Sequence, residues 1–258
     1  MHIDSMFRID LWLYNSLLIP KIFFTMVKNR NTVKYIKRNA SIKNSEKGKI
    51  LYICGNGPSL NKVDMNDIKE DYLVVNDYYR FTKKDKNHPP KFYMILDESF
   101  LDSDLSERFK SIFSPGFETT YVLNGLMRER VTKEYPNLKT IYYCPWGMLF
   151  NSDKDFRLDR IHGRPWNVVC EAILFGIYLG YKEIRLLGCD YSIFATSAHF
   201  YSQIQERPNL REMLYKYCYT TEVHYEIAKY ANRHGVRIIN MTKETLLDAY
   251  DIDINSPY

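Results

Sequence analysis

Glycine is scarce in this chain, 11 of 258 residues, which excludes a glycine-built fibre. Cysteine is too sparse to organise a fold: Cys54, Cys144, Cys170, Cys189 and Cys218 are odd in number and include no Cys-x-x-Cys pair. Neither a disulfide framework nor a zinc knuckle is expected, and a reducing cytoplasm is the simplest compartment. No basic region precedes the first apolar stretch and no small-residue cleavage site follows it, so no secretory signal is read there. That stretch, residues 11–27, is interrupted by Asn15, Ser16, Pro20 and Lys21, and falls short of the roughly 20 mostly apolar residues a span requires. What is present is 45% apolar and 15% aromatic, too much for a disordered chain, at a length that supports a sizeable core.

The net charge of +5 is unevenly placed. Residues 1–48 hold nine Lys/Arg against Asp4, Asp10 and Glu46, a balance of +6, which leaves the other 210 residues at −1. A nucleic-acid-binding body needs its own basic face, so a near-neutral body argues against one. The apolar, aromatic run 11–27 followed by Lys28, Arg30, Lys34, Lys37, Arg38, Lys43 and Lys47 suits an anionic membrane surface. The expectation is a basic amphipathic membrane-associating segment over 1–48, placing the protein at the inner face of the cytoplasmic membrane. The competing reading packs Leu11, Leu13, Leu17, Leu18 and Phe23 on the body and leaves the basic tract as linker.

From residue 49 the pattern changes. Short apolar runs at 49–54, 72–76, 91–96, 119–123, 140–144, 183–187 and 236–239 read as strands buried on both faces. Helical stretches lie between them, clearest at 166–179 and 214–234. The alternation predicts an α/β fold, a doubly wound, mostly parallel sheet filling 49–258, with a lid insertion at about 191–213 and an N-terminal amphipathic helix. Ligands on such sheets sit beyond the carboxyl ends of the strands, so the residues there are the candidates.

After the first strand comes Gly55-Asn56-Gly57-Pro58-Ser59-Leu60, a tight turn into a helix start whose free N–H groups would meet a phosphate. Asp77 stands 20 residues after Gly57, the spacing of a ribose-binding acid, although Leu60 occupies the place of the third fingerprint glycine. Asn76 and Asp77 suit a ribose or base equally well, or a helix cap. Asp97 follows the third strand and Asp190-Tyr191 the sixth, and His199 with Tyr201 lies nine residues past Asp190 in a polar stretch where a general base is useful. His162 near Arg164 suits an anion, His224 falls inside a helix, and His2, His88 and His234 read as surface residues. The pairs Asp102/Asp104 and Asp251/Asp253 follow no strand end and read as solvated carboxylates, so no metal site is expected.

The strings from Cys54 to Leu60, Val75 to Tyr79, Leu179 to Ile184 and Gly188 to Tyr191, in that order, resemble the bacterial sialyltransferases built on a single Rossmann-like domain. They are as similar to relatives in surface-polysaccharide clusters and to the 6-hydroxymethylpterin pyrophosphokinase-like proteins. The resemblance covers about residues 49–245. It implies an inverting, metal-independent glycosyltransferase without a cofactor, moving a sialic or related acidic sugar from a CMP-activated donor to a glycan or glycolipid acceptor in capsule or lipopolysaccharide biosynthesis.

It further implies that Gly55, Asn56, Gly57, Ser59 and Asn76 bind the CMP part, that Asp190 and Tyr191 line the pocket, and that His199 on the lid is the base. Where the family has a Thr-Ser pair opening the long helix this chain has Arg164-Pro165-Trp166-Asn167, which would face the sugar carboxylate or the phosphate, with Arg164 suited to a bidentate carboxylate contact. Tyr191 or Tyr201 would bond the leaving phosphate. Three alternatives stand beside this: pyrophosphoryl transfer from ATP to a pterin through magnesium on Asp97 and Asp190, an NAD-dependent reaction, and a nucleotide-binding regulatory module. A homo-oligomer is compatible with all of them.

Overall fold

The computed structural model describes residues 3–81, 88–97, 100, 106–113, 118–192 and 209–258. Its centre is a nine-stranded sheet in the order β6-β5-β4-β3-β2-β1-β7-β8-β9, every pairing parallel. The strands are β1 (Ile50–Cys54), β2 (Asp71–Val75), β3 (Phe92–Ile95), β4 (Thr120–Asn124), β5 (Thr140–Leu149), β6 (Ile161–Arg164), β7 (Glu183–Leu187), β8 (Arg237–Asn240) and β9 (Asp251–Ile252). The helices are α1 (Ile3–Lys28), α2 (Arg30–Tyr35), α3 (Ser106–Ile112), α4 (Arg128–Glu134), α5 (Val168–Leu179) and α6 (Leu210–Arg233). The doubly wound α/β architecture expected from the strand-helix alternation is the one present. β6 and β9 are additional to the seven strands read from sequence.

The apolar runs are continuous because both faces of the sheet are covered. Along β1, Leu51 and Ile53 enter the core under α5 and α6, whereas Tyr52 and Cys54 enter the core of the opposite face with Leu60, Tyr78 and Phe81. That is the two-residue period of a strand with no solvent side. α5 is buried over Cys170–Leu179 all round, as expected of an apolar helix lying across a sheet. The Asn167 carboxamide caps its start by accepting from the Val169 amide at 2.7 Å, and Gly180 ends it at φ 87. A Cβ on Gly176 would come within 3.0 Å of Ile184 and Leu51, so glycine there sets how closely α5 approaches the sheet.

The boundary expected after residue 48 does not separate two bodies. Ile36 is fully buried, and the Asn39 amide donates to the Tyr142 carbonyl at 2.7 Å and the Leu158 carbonyl at 3.0 Å. Thr32 fills the space a Cβ on Gly125 would need, 2.9 Å away. Residues 30–48 are therefore part of the domain rather than a linker. α1 itself is not amphipathic: it is apolar on the flank that packs along β5 and on the outward flank as well. Of the expected lid, residues 193–208 lie outside the described residues, and Asn209 onward already belongs to the cap and first turn of α6.

Candidate functional site

Chain order along the sheet reverses between β1 and β7, the topological switch point at which such sheets bind ligands. A cleft of about 190 Å³ opens there. The turn after β1 (Gly55, Asn56, Gly57) and Asn76 at the end of β2 form one side, and Asn167 to Val169 at the start of α5 form another. Gly188 to Ser192 after β7, and Tyr217 and His224 of α6, close it. A larger open depression of about 650 Å³ lies on the first turns of α6, lined by Leu210, Leu214, Tyr215 and Cys218. Its described lining, which also includes Arg211, comes from α6 alone and holds no residue that follows a strand, so the cleft at the switch point is the candidate site.

The turn after β1 does something other than cradle a phosphate with its amides. The Gly55 amide donates to the Leu187 carbonyl and the Gly57 amide to the Gly188 carbonyl, both at 2.8 Å. The Ser59 amide donates to Asp190 at 3.1 Å and its hydroxyl donates to the same carboxylate at 2.8 Å. Asp190 thus occupies the anion position at the start of the short 3-10 helix Pro58–Lys62. A Cβ on Gly57 would sit 2.0 Å from the Asp190 Oδ2 and one on Gly55 2.6 Å from the Gly188 carbonyl oxygen. The two glycines allow the β1 and β7 turns to interlock. The expectation of free turn amides for a phosphate is corrected accordingly, and Ser59 is buried behind the cleft beside Asp190 and Thr242.

Asn56 and Asn76 are different. The Asn56 amide donates to the Val75 carbonyl at 3.3 Å, whereas its Oδ1 is buried without a hydrogen-bond partner. Asn76 Oδ1 is likewise buried and unpartnered, and its backbone is held at φ 44 with the carbonyl accepting from the Tyr93 hydroxyl at 2.6 Å. Orphaned acceptors are rare because burial without a partner costs about 1–3 kcal/mol. Two of them on adjacent strand ends, in one cleft, define a place for a ligand carrying N–H or O–H donors. Left-handed backbone concentrates here too: of the four non-glycine residues with positive φ among the described residues, Asn76 and Tyr191 line the cleft and Trp166 directly precedes Asn167.

His224, read from sequence as a histidine inside a helix, forms part of the cleft wall. His224 is 1% exposed, its Nδ1 is 2.9 Å from the Tyr250 hydroxyl and its Nε2 3.3 Å from Cys170 Sγ. Tyr191 meets it edge-on at 5.5 Å. Burial pushes this imidazole down to about 3, so it is neutral at pH 7. Tyr191 bonds Thr221 Oγ1 at 3.1 Å, and burial raises its phenol so that it stays protonated. The period Tyr217, Thr221, His224 on one face of α6 is the only signal that could have found this wall.

The other expected residues scatter. Asp77 is buried and its carboxylate accepts from Arg108 Nε at 2.7 Å and from Arg108 Nη2, a bidentate pair that turns it away from a ribose. Asp97 is exposed and Arg164, on β6, donates to the Pro145 carbonyl at 3.3 Å; neither lines the cleft. Asn167 lines it and caps α5. His199 and Tyr201 lie outside the described residues, as do Asp102 and Asp104. His162 is buried, with its Nε2 3.3 Å from Glu171 Oε2, and His88 is half-buried with Nδ1 3.0 Å from the Ile68 carbonyl oxygen, so it is not a surface residue. Asp251 faces Arg237 on an exposed edge. Among the described residues no group of three or more His, Cys, Asp or Glu side chains could hold a metal ion.

No family model and no curated protein matches the sequence. Solved structures do match the fold. The monofunctional alpha-2,3-sialyltransferase Cst-I from Campylobacter jejuni superimposes at a TM-score of 0.51 with 16% identity, over 82% of each chain. A variant of the sialyltransferase CST-II in complex with CMP superimposes at 0.50 with 17% identity, over 81% of this chain and 88% of that one. The chain therefore has the α/β fold of these sialyltransferases.

Proposed function

We propose that the protein is a glycosyltransferase taking a CMP-activated sugar, a sialic or related acidic sugar, as donor. The observation that carries this reading is the pair of orphaned amide oxygens on Asn56 and Asn76, at the switch point of a fold shared with a sialyltransferase crystallised with CMP. Cytosine and ribose present the N–H and O–H donors those oxygens lack. The acceptor is a glycan or glycolipid of capsule or lipopolysaccharide, and its hydroxyl attacks the anomeric carbon as the nucleotide phosphate leaves from the opposite face, inverting configuration.

In that reaction the acceptor proton goes to His199, and the protein's remaining contribution is positioning and hydrogen bonding to the leaving group. His224 is unsuited to the base role, because an imidazole held near 3 is too weak to take a proton at neutral pH. Its place is a neutral wall against which Tyr191 is set. Tyr191, protonated and lining the same cleft as Asn167, is the hydroxyl donor assigned to the leaving phosphate. The experiment is a thermal-shift comparison of CMP, UMP, GMP, ATP and NAD, followed by transfer assays with CMP-sugars. Selective stabilisation by CMP that is reduced in Asn56→Ala is the expected result; stabilisation by ATP or NAD instead, with CMP inert, defeats the reading. His199→Ala is expected to retain CMP binding and lose transfer.

A further inference from the structure

α1 is held to the domain along one narrow stripe. Leu18, Ile22 and Thr25, with Asn29 just beyond, are its half-buried positions among the described side chains, and at about 100° per residue they fall within one face of the helix. The opposite half carries Trp12, Leu17, Ile19, Phe23, Phe24 and Val27, each between 55% and 80% exposed. A helix apolar on both flanks has something apolar on both sides. The domain covers one flank only. No helix among the described residues is long and apolar enough to cross a membrane.

The charges around this flank select what covers the other. Lys21 and Lys28, seven residues apart, lie at one border of the exposed apolar half, and both are exposed. From residue 11 to residue 45 the chain has seven Lys/Arg and no carboxylate, with Lys34, Lys37 and Arg38 exposed on the segment that follows. A second copy packed on this face would bring like charges together, whereas phosphate headgroups around an apolar layer complement it.

We propose that α1 is an in-plane anchor that binds an anionic lipid bilayer, its outward half in the acyl boundary and Lys21 and Lys28 among the headgroups. Because Asn39 and Ile36 tie the following residues into the domain, the anchor is rigid. The sheet is held at one angle to the bilayer rather than on a tether. This does not depend on the transferase reading.

The test is flotation of the full chain with phosphatidylcholine vesicles, with and without about a third phosphatidylglycerol. Co-flotation with the anionic vesicles, weakened at least tenfold by Leu17→Glu combined with Phe24→Glu and reduced by Lys21→Gln with Lys28→Gln, is expected, at unchanged melting temperature. Should the double Glu variant not fold, the wild-type Trp12 emission decides: a blue shift on anionic vesicles, absent in Trp12→Phe, supports the anchor. No partition of the wild-type chain overturns it. So does a dimer in light scattering that Leu17→Glu dissolves while vesicles bind neither form, for the flank then belongs to a second copy.

Discussion

A single side chain is decisive in this cleft when it carries a polar atom the fold does not satisfy. Asn56 and Asn76 each leave a buried amide oxygen without a donor, and each is expected to receive one from the nucleotide. Replacing either with alanine should weaken CMP binding about fivefold to tenfold, the equivalent of about 1 kcal/mol per lost hydrogen bond, read by calorimetric titration. Gly57→Ala should fail differently. Its new methyl would collide with the Asp190 carboxylate 2.0 Å away and break the contact with Ser59, so a loss of about 2–3 kcal/mol in urea unfolding is expected. Binding would fall only as a consequence.

His224 makes stability depend on pH. Its folded pKa, about 3, is below the ordinary histidine value near 6.5, so the unfolded chain binds the proton first. The group's neutral burial among Cys170, Tyr191 and Tyr250 costs nothing above that range and becomes a liability as pH falls below about 6.5. Lowering pH from 6.5 to 5 should remove about 2 kcal/mol of stability, and the slope should flatten in His224→Asn. Glu171 runs the other way: burial raises its carboxyl, an effect opposed by His162, so its contribution is full below about 4.5 and is lost as pH rises through its raised folded pKa. The His224 contribution is therefore read from the difference between the wild-type and His224→Asn pH profiles.

At the scale of elements, caps and tethers decide where pieces begin. α6 starts one turn earlier than its apolar period suggests because the Asn209 carboxamide accepts from the Arg211 amide at 3.1 Å and the Glu212 amide at 3.4 Å. The Asn-x-x-Glu pattern of a capping box was present in the sequence. Asn39→Ala should cost about 2 kcal/mol by urea unfolding, because it orphans two carbonyls of the β5 side, at Tyr142 and Leu158. A linker would tolerate the change. β6, with the sequence Ile161-His162-Gly163-Arg164, has no apolar run, and β9 is two residues long, so neither carries a pattern that period-two reading detects.

For the whole molecule, the parallel order and the switch point between β1 and β7 put six sequence-distant segments around one small volume. If CMP is the ligand, a concentration one hundred times its dissociation constant should stabilise the fold by about 2.7 kcal/mol, a rise of roughly 5–11 °C in melting temperature for a domain of this size. UMP should give less, since its base offers no amino group to an amide oxygen.

The amino-acid sequence by itself determined the fold class and the neighbourhood of the site. Continuous apolar runs alternating with helical periods permit little else, and strand ends are where such sheets bind. It also placed Gly55, Asn56, Gly57, Asn76, Asp190 and Tyr191 at those ends and Asn167 at the opening of the long helix, and all seven line the cleft. Only the tertiary structure decided what each of them does. Asp190 and Asp77 look from sequence like acids for a ligand, but Ser59 comes from 131 residues away to meet one and Arg108 from 31 residues away to meet the other. His224 reads as an ordinary helix residue until α6 packs against α5 and β8. The physical reason is range: periodicity and turn chemistry are local, whereas whether a polar atom is satisfied depends on which distant partner the packing brings within 3 Å.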